Sequence, residues 1–158
     1  MKKVLYIVLA LMISACSSSD DPAPFVDPVI GVWKPVIQGA IFNDGSELTE
    51  AVSVCEQKNR ITFMADGAFS QTDYQESNDP DCVQPVGNPF LTGTWTRLSE
   101  SKYRVELICS IPNCNDVEVE IPESITFPNP NVMRVTDIDE DDLTDDIDFY
   151  FLEFERVQ

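Results

Sequence analysis

The chain has 158 residues, with 10 basic and 28 acidic side chains, a formal charge of −18 and no histidine. A surface of that sign repels phosphate backbones and anionic head groups, which disfavours nucleic-acid binding and direct docking on a lipid surface. Without histidine there is no Ser-His-Asp or Cys-His constellation and the commonest metal ligand is missing; a phosphate-cradling Gly-rich loop and a CxxC pair are absent too.

Lys2 and Lys3 precede an almost unbroken apolar run from Val4 to Ile13. As a helix this run is about 15 Å long, half of a hydrocarbon core of about 30 Å, so it suits a cleavable signal and not an anchor helix. Ile13-Ser14-Ala15-Cys16 resembles the bacterial lipobox: a branched apolar residue, two small ones, then the cysteine to be acylated. The resemblance implies a signal peptide over residues 1–15 and acyl chains (palmitate among them) on Cys16. An ordinary signal peptide with an incidental cysteine is the alternative. Three acyl chains would hold the protein on a membrane, since each buried CH₂ contributes about 0.8 kcal/mol.

Ser17, and not Asp, follows the cysteine, which by resemblance favours the outer membrane. Ser17-Ser18-Ser19-Asp20-Asp21 is similar to export signals of surface lipoproteins in Bacteroidetes, with a plain solvated tether as the equal alternative. Residues 16–28, punctuated by Pro22, Pro24 and Pro28, read as an acylated tether that reaches at most about 40 Å. Cleavage would leave 8 basic against 28 acidic residues, formally −20.

Residues 29–158 suit one domain around one core. A strand is expected over 29–37, then a short helix from Ser46 to Val54, capped by Asp44 with Glu47 three residues on. Strands over 59–64 and 68–75 form a hairpin turning at Ala65-Asp66-Gly67, and another strand covers 91–98. Tyr103, Val105, Leu107 and Cys109 alternate with Arg104 and Glu106; Val117, Val119 and Ile121 alternate with Asp116, Glu118 and Glu120. These are half-buried antiparallel strands. Further strands are expected over 131–137 and 147–157, with Gly87-Asn88 and Pro128-Asn129-Pro130 as punctuation. The pattern is all-β: about eight short strands in an up-and-down barrel or a sandwich.

With Cys16 acylated, Cys55, Cys82, Cys109 and Cys114 remain, an even number suited to an oxidising compartment. Cys109 and Cys114 sit at the neck of the loop Ser110-Ile111-Pro112-Asn113, and Cys55 and Cys82 flank the hairpin that turns at Asp66-Gly67. These two pairings are favoured among three; four free buried thiols are the alternative. A zinc site is disfavoured because only Cys109 and Cys114 are close in sequence.

Gly31-Val32-Trp33 on the first strand resembles the Gly-x-Trp that opens lipocalin-type barrels. Cys55, Ile61-Thr62-Phe63, Asp66-Gly67-Ala68-Phe69 and a second Gly-x-Trp at Gly93-Thr94-Trp95 follow in order. The succession is similar to the lipocalin-like lipoproteins of Bacteroidetes, over residues 29–98 and more loosely to the end. The resemblance implies an up-and-down barrel with Trp33 plugging one end. Thr72-Asp73-Tyr74 matches a second lipocalin motif in letters but lies too early in the chain, and is read as chance. Arg156 is placed to stack on Trp33 if the barrel closes, as a cation–π contact worth about 0.5–2 kcal/mol; an ordinary solvated strand end is the equal alternative.

Inward residues are expected to be Trp33, Ile61, Phe63, Phe69, Trp95, Tyr103, Val105, Leu107, Val117, Val119, Met133, Val135, Phe149 and Phe151. Such a barrel either fills itself with side chains or holds one small apolar ligand, with Tyr103 as a polar handle. Two functions follow: a membrane-anchored carrier of a small apolar molecule, or a non-enzymatic module docking another envelope protein. The four apolar residues Phe149-Tyr150-Phe151-Leu152 favour the second, because only one strand face can look into a barrel. No enzyme is expected, because nothing sets two carboxylates across a cleft. Asp137, Asp139, Asp141, Asp145 and Asp148 fall at ligand positions of an EF-hand-like loop. Asp142 replaces the required glycine and the last position is Asp148, not Glu, so the segment reads as a solvated acidic loop, with weak divalent binding as the alternative, and no resident metal or cofactor is expected.

Overall fold

The computed structural model describes residues 25–74, 82–83, 91–109, 117–122, 124–137 and 146–158. The expected signal peptide, Cys16, the tether up to residue 24, the Cys109–Cys114 pairing, Gly87-Asn88 and positions 138–145 of the acidic loop lie outside the described residues.

The strands are β1 (Gly31–Phe42), β2 (Glu47–Ala51), β3 (Ile61–Phe63), β4 (Ala68–Gln71), β5 (Leu91–Arg97), β6 (Tyr103–Cys109), β7 (Val117–Glu120), β8 (Ser124–Asn129), β9 (Val132–Asp137) and β10 (Ile147–Arg156). They form one curled sheet in the order β7-β6-β5-β4-β3-β1-β10-β9-β8, with β2 alongside the second half of β1. Every ladder is antiparallel. Eight antiparallel steps separate β7 from β8, so the two run in the same direction. The two ends of the sheet are thus consecutive strands of the chain running the same way, and the sheet curls back on itself. Pro122 sits in the break between them, where a residue lacking N–H costs no ladder bond. Across the seam, the Ile125 N–H donates to the Ser101 carbonyl at 2.8 Å. With β7 and β8 taken as one interrupted strand and β2 as a side hairpin, eight strands make the wall. This is the lipocalin-like, up-and-down architecture.

The concave face carries the core: Trp33, Phe63, Phe69, Tyr103, Val105, Leu107, Ile125, Met133 and Phe154 are buried together with Val29. Tyr103, Val105 and Leu107 alternate inward along β6 as the pattern requires, each opposite an inward residue of β5: Arg97, Trp95 and Gly93.

Four expectations are corrected. No helix spans Ser46 to Val54: Glu47–Ala51 is strand β2, laddered on β1 from Ile41 back to Ile37. Asp44 does act as a cap, but of the hairpin turn, its Oδ1 accepting the Ser46 N–H at 2.8 Å. The real capping box comes later. Ser53 and Glu56 exchange side-chain-to-backbone bonds at the start of a single 3₁₀ turn, Glu56–Lys58. Second, Pro128 and Asn129 do not merely punctuate; they end strand β8, which the sequence pattern misses.

The third correction concerns β7. Its register sets Glu120 beside the inward Val105 and Val119 beside Glu106, so Val119 faces outward and is 46% exposed. The fourth concerns β10, whose ladder with β9 runs unbroken from Tyr150 to Glu155. Phe154 is inward, so Leu152 and Tyr150 are too, while Phe151 and Phe149 take the other face.

Candidate ligand cavity

The end of the barrel where β1 begins is filled. Trp33 is wholly buried, and its Nε1 donates to the Val29 carbonyl at 2.7 Å, which pulls the segment before β1 across the barrel end. Arg156 lies over the indole at 4.1 Å and spreads its fork over three carbonyls: Ile30 (2.6 Å), Pro28 (2.8 Å) and Pro130 (3.0 Å). A fixed planar fork serves several carbonyls where an ammonium is only a point charge. Gly31 is required here: its φ is +148°, and a Cβ would stand 2.2 Å from the Arg156 Nη1. Asp27 closes the other side of the plug. Its Oδ1 accepts the Tyr103 hydroxyl at 2.8 Å and the Val29 N–H at 3.0 Å, and its Oδ2 pairs with Arg97 at 3.4 Å. Burial first, then the bond to Asp27 and its charge, push the Tyr103 pKa up.

Toward the other end the barrel is hollow. A cavity of about 700 Å³ opens on the concave face, within the size range of small-molecule sites. Phe63, Phe69, Ile125, Met133 and Phe154 form its apolar floor, and Val135, Leu152 and Leu48 its upper wall. Leu152 and Leu48 are 39% and 61% exposed, so large apolar surface faces an unfilled space. The reason lies in side-chain size. Moving along β1 from the plug, inward positions change from Trp33 and Pro35 to Gln38 and Ala40, with the bulge after Pro35 resetting the alternation.

The back of this wall is sealed by the chain itself. Phe151 lies behind Gly39, whose Cβ would stand 2.6 Å from the ring. The Arg134 guanidinium stacks on the ring at 4.2 Å and is held by Glu47 at 3.0 Å and Glu153 at 2.6 Å. On the flank of the wall, a disulfide joins Cys55, before the 3₁₀ turn, to Cys82 in the β4–β5 connection.

The sequence-derived interior residues therefore divide. Phe63 and Phe69 line the cavity. Trp33, Trp95 and Tyr103 belong to the filled part, and the Tyr103 hydroxyl, expected as a handle for a ligand, is engaged by Asp27. Phe149 and Phe151 point away from the concave face, although Phe151 backs the cavity wall at Gly39. Missed from sequence were Ile125, Phe154 and Leu152. Ile125 belongs to the unrecognised β8. Phe154 and Leu152 share one parity of β10, and the unbroken apolar run gave no means of choosing it. Among the described residues, no three His, Cys, Asp or Glu side chains gather as a metal site. No family model matches the chain, and no curated protein matches it.

Proposed function

We propose that this is a membrane-anchored, lipocalin-like lipoprotein whose barrel binds or carries one small apolar molecule in the cell envelope. The observation that carries the reading is the cavity of about 700 Å³, floored by Phe63, Phe69 and Met133, with exposed Leu48 and Leu152 in its walls. A core free to close would bury those leucines, each worth about 1.5–3 kcal/mol. Anchoring through Cys16 and placement at the outer membrane rest on the lipobox-like segment and the serine- and acid-rich stretch behind it. An accessory module docking another envelope protein is the weaker reading. Its support was the apolar run at 149–152, and the outward Phe151 of that run is already covered by Arg134.

The test is titration of the domain, residues 25–158, with the uncharged dye N-phenyl-1-naphthylamine. Saturable one-to-one binding is expected, together with its loss in Leu152→Trp, which fills the space. Fluorescence rising without saturation, equally in both proteins, rejects the carrier.

A further inference from the structure

We propose that the cavity selects its ligand by head-group charge: it takes amphiphiles with a cationic or neutral polar head and excludes carboxylates such as fatty acids. The inference rests on the carrier reading and adds the chemical class of ligand. Its basis is the distribution of charge around the cavity. Glu50, Glu120 and Asp137 line the space, with the neutral amides of Gln38 and Gln71, and among the described residues no Lys or Arg lines it. The Glu50 carboxylate accepts a bond from the Gln38 amide at 2.6 Å, which orients it without cancelling its charge.

Every basic residue among the described residues is placed elsewhere. Lys2 and Lys3 belong to the N-terminal segment. Arg97 and Arg156 serve the plug, and Lys102 lies in the turn between β5 and β6 at that same end. Arg134 is held on the opposite face by Glu47 and Glu153. Lys34 pairs with Glu155, and Arg104 with Glu106. Lys58 sits over Tyr74, and Arg60 donates to the carbonyls of Gln57 and Asn59. A carboxylate entering the cavity would lose water and meet like charge with no cation to pair with, the costly combination for an ion in an apolar site. An ammonium head meets acids of opposite sign, and an alcohol finds acceptors.

The experiment displaces bound N-phenyl-1-naphthylamine with three ligands of one chain length: dodecyltrimethylammonium, dodecanol and dodecanoate, each below its micelle concentration. The cation is expected to compete at about tenfold lower concentration than dodecanoate, with dodecanol between them. In the double variant Glu50→Gln/Glu120→Gln the difference should shrink. In the control Asp44→Asn/Glu155→Gln, which removes equal charge away from the cavity, it should persist. Equal competition by cation and carboxylate overturns the inference while leaving the carrier intact. An equal shrinkage in the control does the same, because overall charge would then explain the selectivity. Absence of saturable dye binding removes the carrier reading and this inference with it.

Discussion

The two ends of the barrel are built from the same strands with the same alternation, yet one is solid and the other hollow. At the plugged end the space is filled by large side chains, each with a place for its polar atoms: the Trp33 indole on the Val29 carbonyl, the Tyr103 hydroxyl on Asp27, the Arg156 fork on three carbonyls. At the other end Gln38 and Ala40 stand beside Leu152 and Tyr150 on the neighbouring strand, and the space in front of this short-chain stretch of wall is left open. Architecture alone thus does not decide whether an eight-stranded barrel is filled; the residues at a few inward positions do.

Truncation should expose the contrast most directly. Trp33→Ala removes packed atoms from a site with no room to relax and leaves Arg156 without its ring, so a loss of about 3–5 kcal/mol in denaturant unfolding is expected. Leu152→Ala, in the hollow wall, should cost about 1 kcal/mol or less. Equal costs would mean that the cavity collapses onto Leu152 and that the two ends do not differ.

The open side is held in part by a covalent link where packing is thin. By the chain-entropy model, the loop closed by Cys55–Cys82, which spans 27 residues, contributes about 3.5 kcal/mol. Reduction should lower stability by that order. It should also raise hydrogen exchange in β2 and the 3₁₀ turn before it reaches the ladder between β5 and β6. Uniform loosening of both ends would contradict a local staple.

A smaller effect tests the plug through pH. The Tyr103 phenol has its pKa raised in the folded protein, above the value near 10 expected when unfolded. The folded state then holds that proton more tightly, so the stabilisation is whole below about pH 10 and falls as pH climbs toward the folded value. Tyr103→Phe should cost about 1–2 kcal/mol at neutral pH by removing one of the three contacts that hold the Asp27 carboxylate. It should also flatten the alkaline decline seen in the wild type. An unchanged alkaline limb would show that Tyr103 titrates normally and that the Asp27 contact is weak.

Much of this arrangement was legible where one strand face is plainly apolar and the other plainly charged. Strand β6 reads inward at Tyr103, Val105 and Leu107 from alternation alone. The hairpin at Asp66-Gly67 sets β3 beside β4, and the Cys55–Cys82 pairing followed from which segments that hairpin brings together. Strand β7 alternates just as cleanly, but its Val119 faces out. Glu120 lines the cavity where its own side chain remains exposed, so it keeps its water and escapes the desolvation that a filled core would impose, and the rule that valines point inward loses its force. The capping pattern at Asp44 and Glu47 was real chemistry assigned to the wrong element, because a turn uses the same Asp-to-N–H bond as a helix start.

By itself the sequence determined the all-β class, the hairpin at Asp66-Gly67, the tryptophan plug position and the segment proposed to direct export, because these depend on local periodicity, turn chemistry and residues close in the chain. Only the tertiary structure decided the parity of β7 and β10, the seam at Pro122, and whether the interior is full. Those depend on which strand lies beside which and on the summed volume of side chains from eight strands, and neither quantity is written in any one of them.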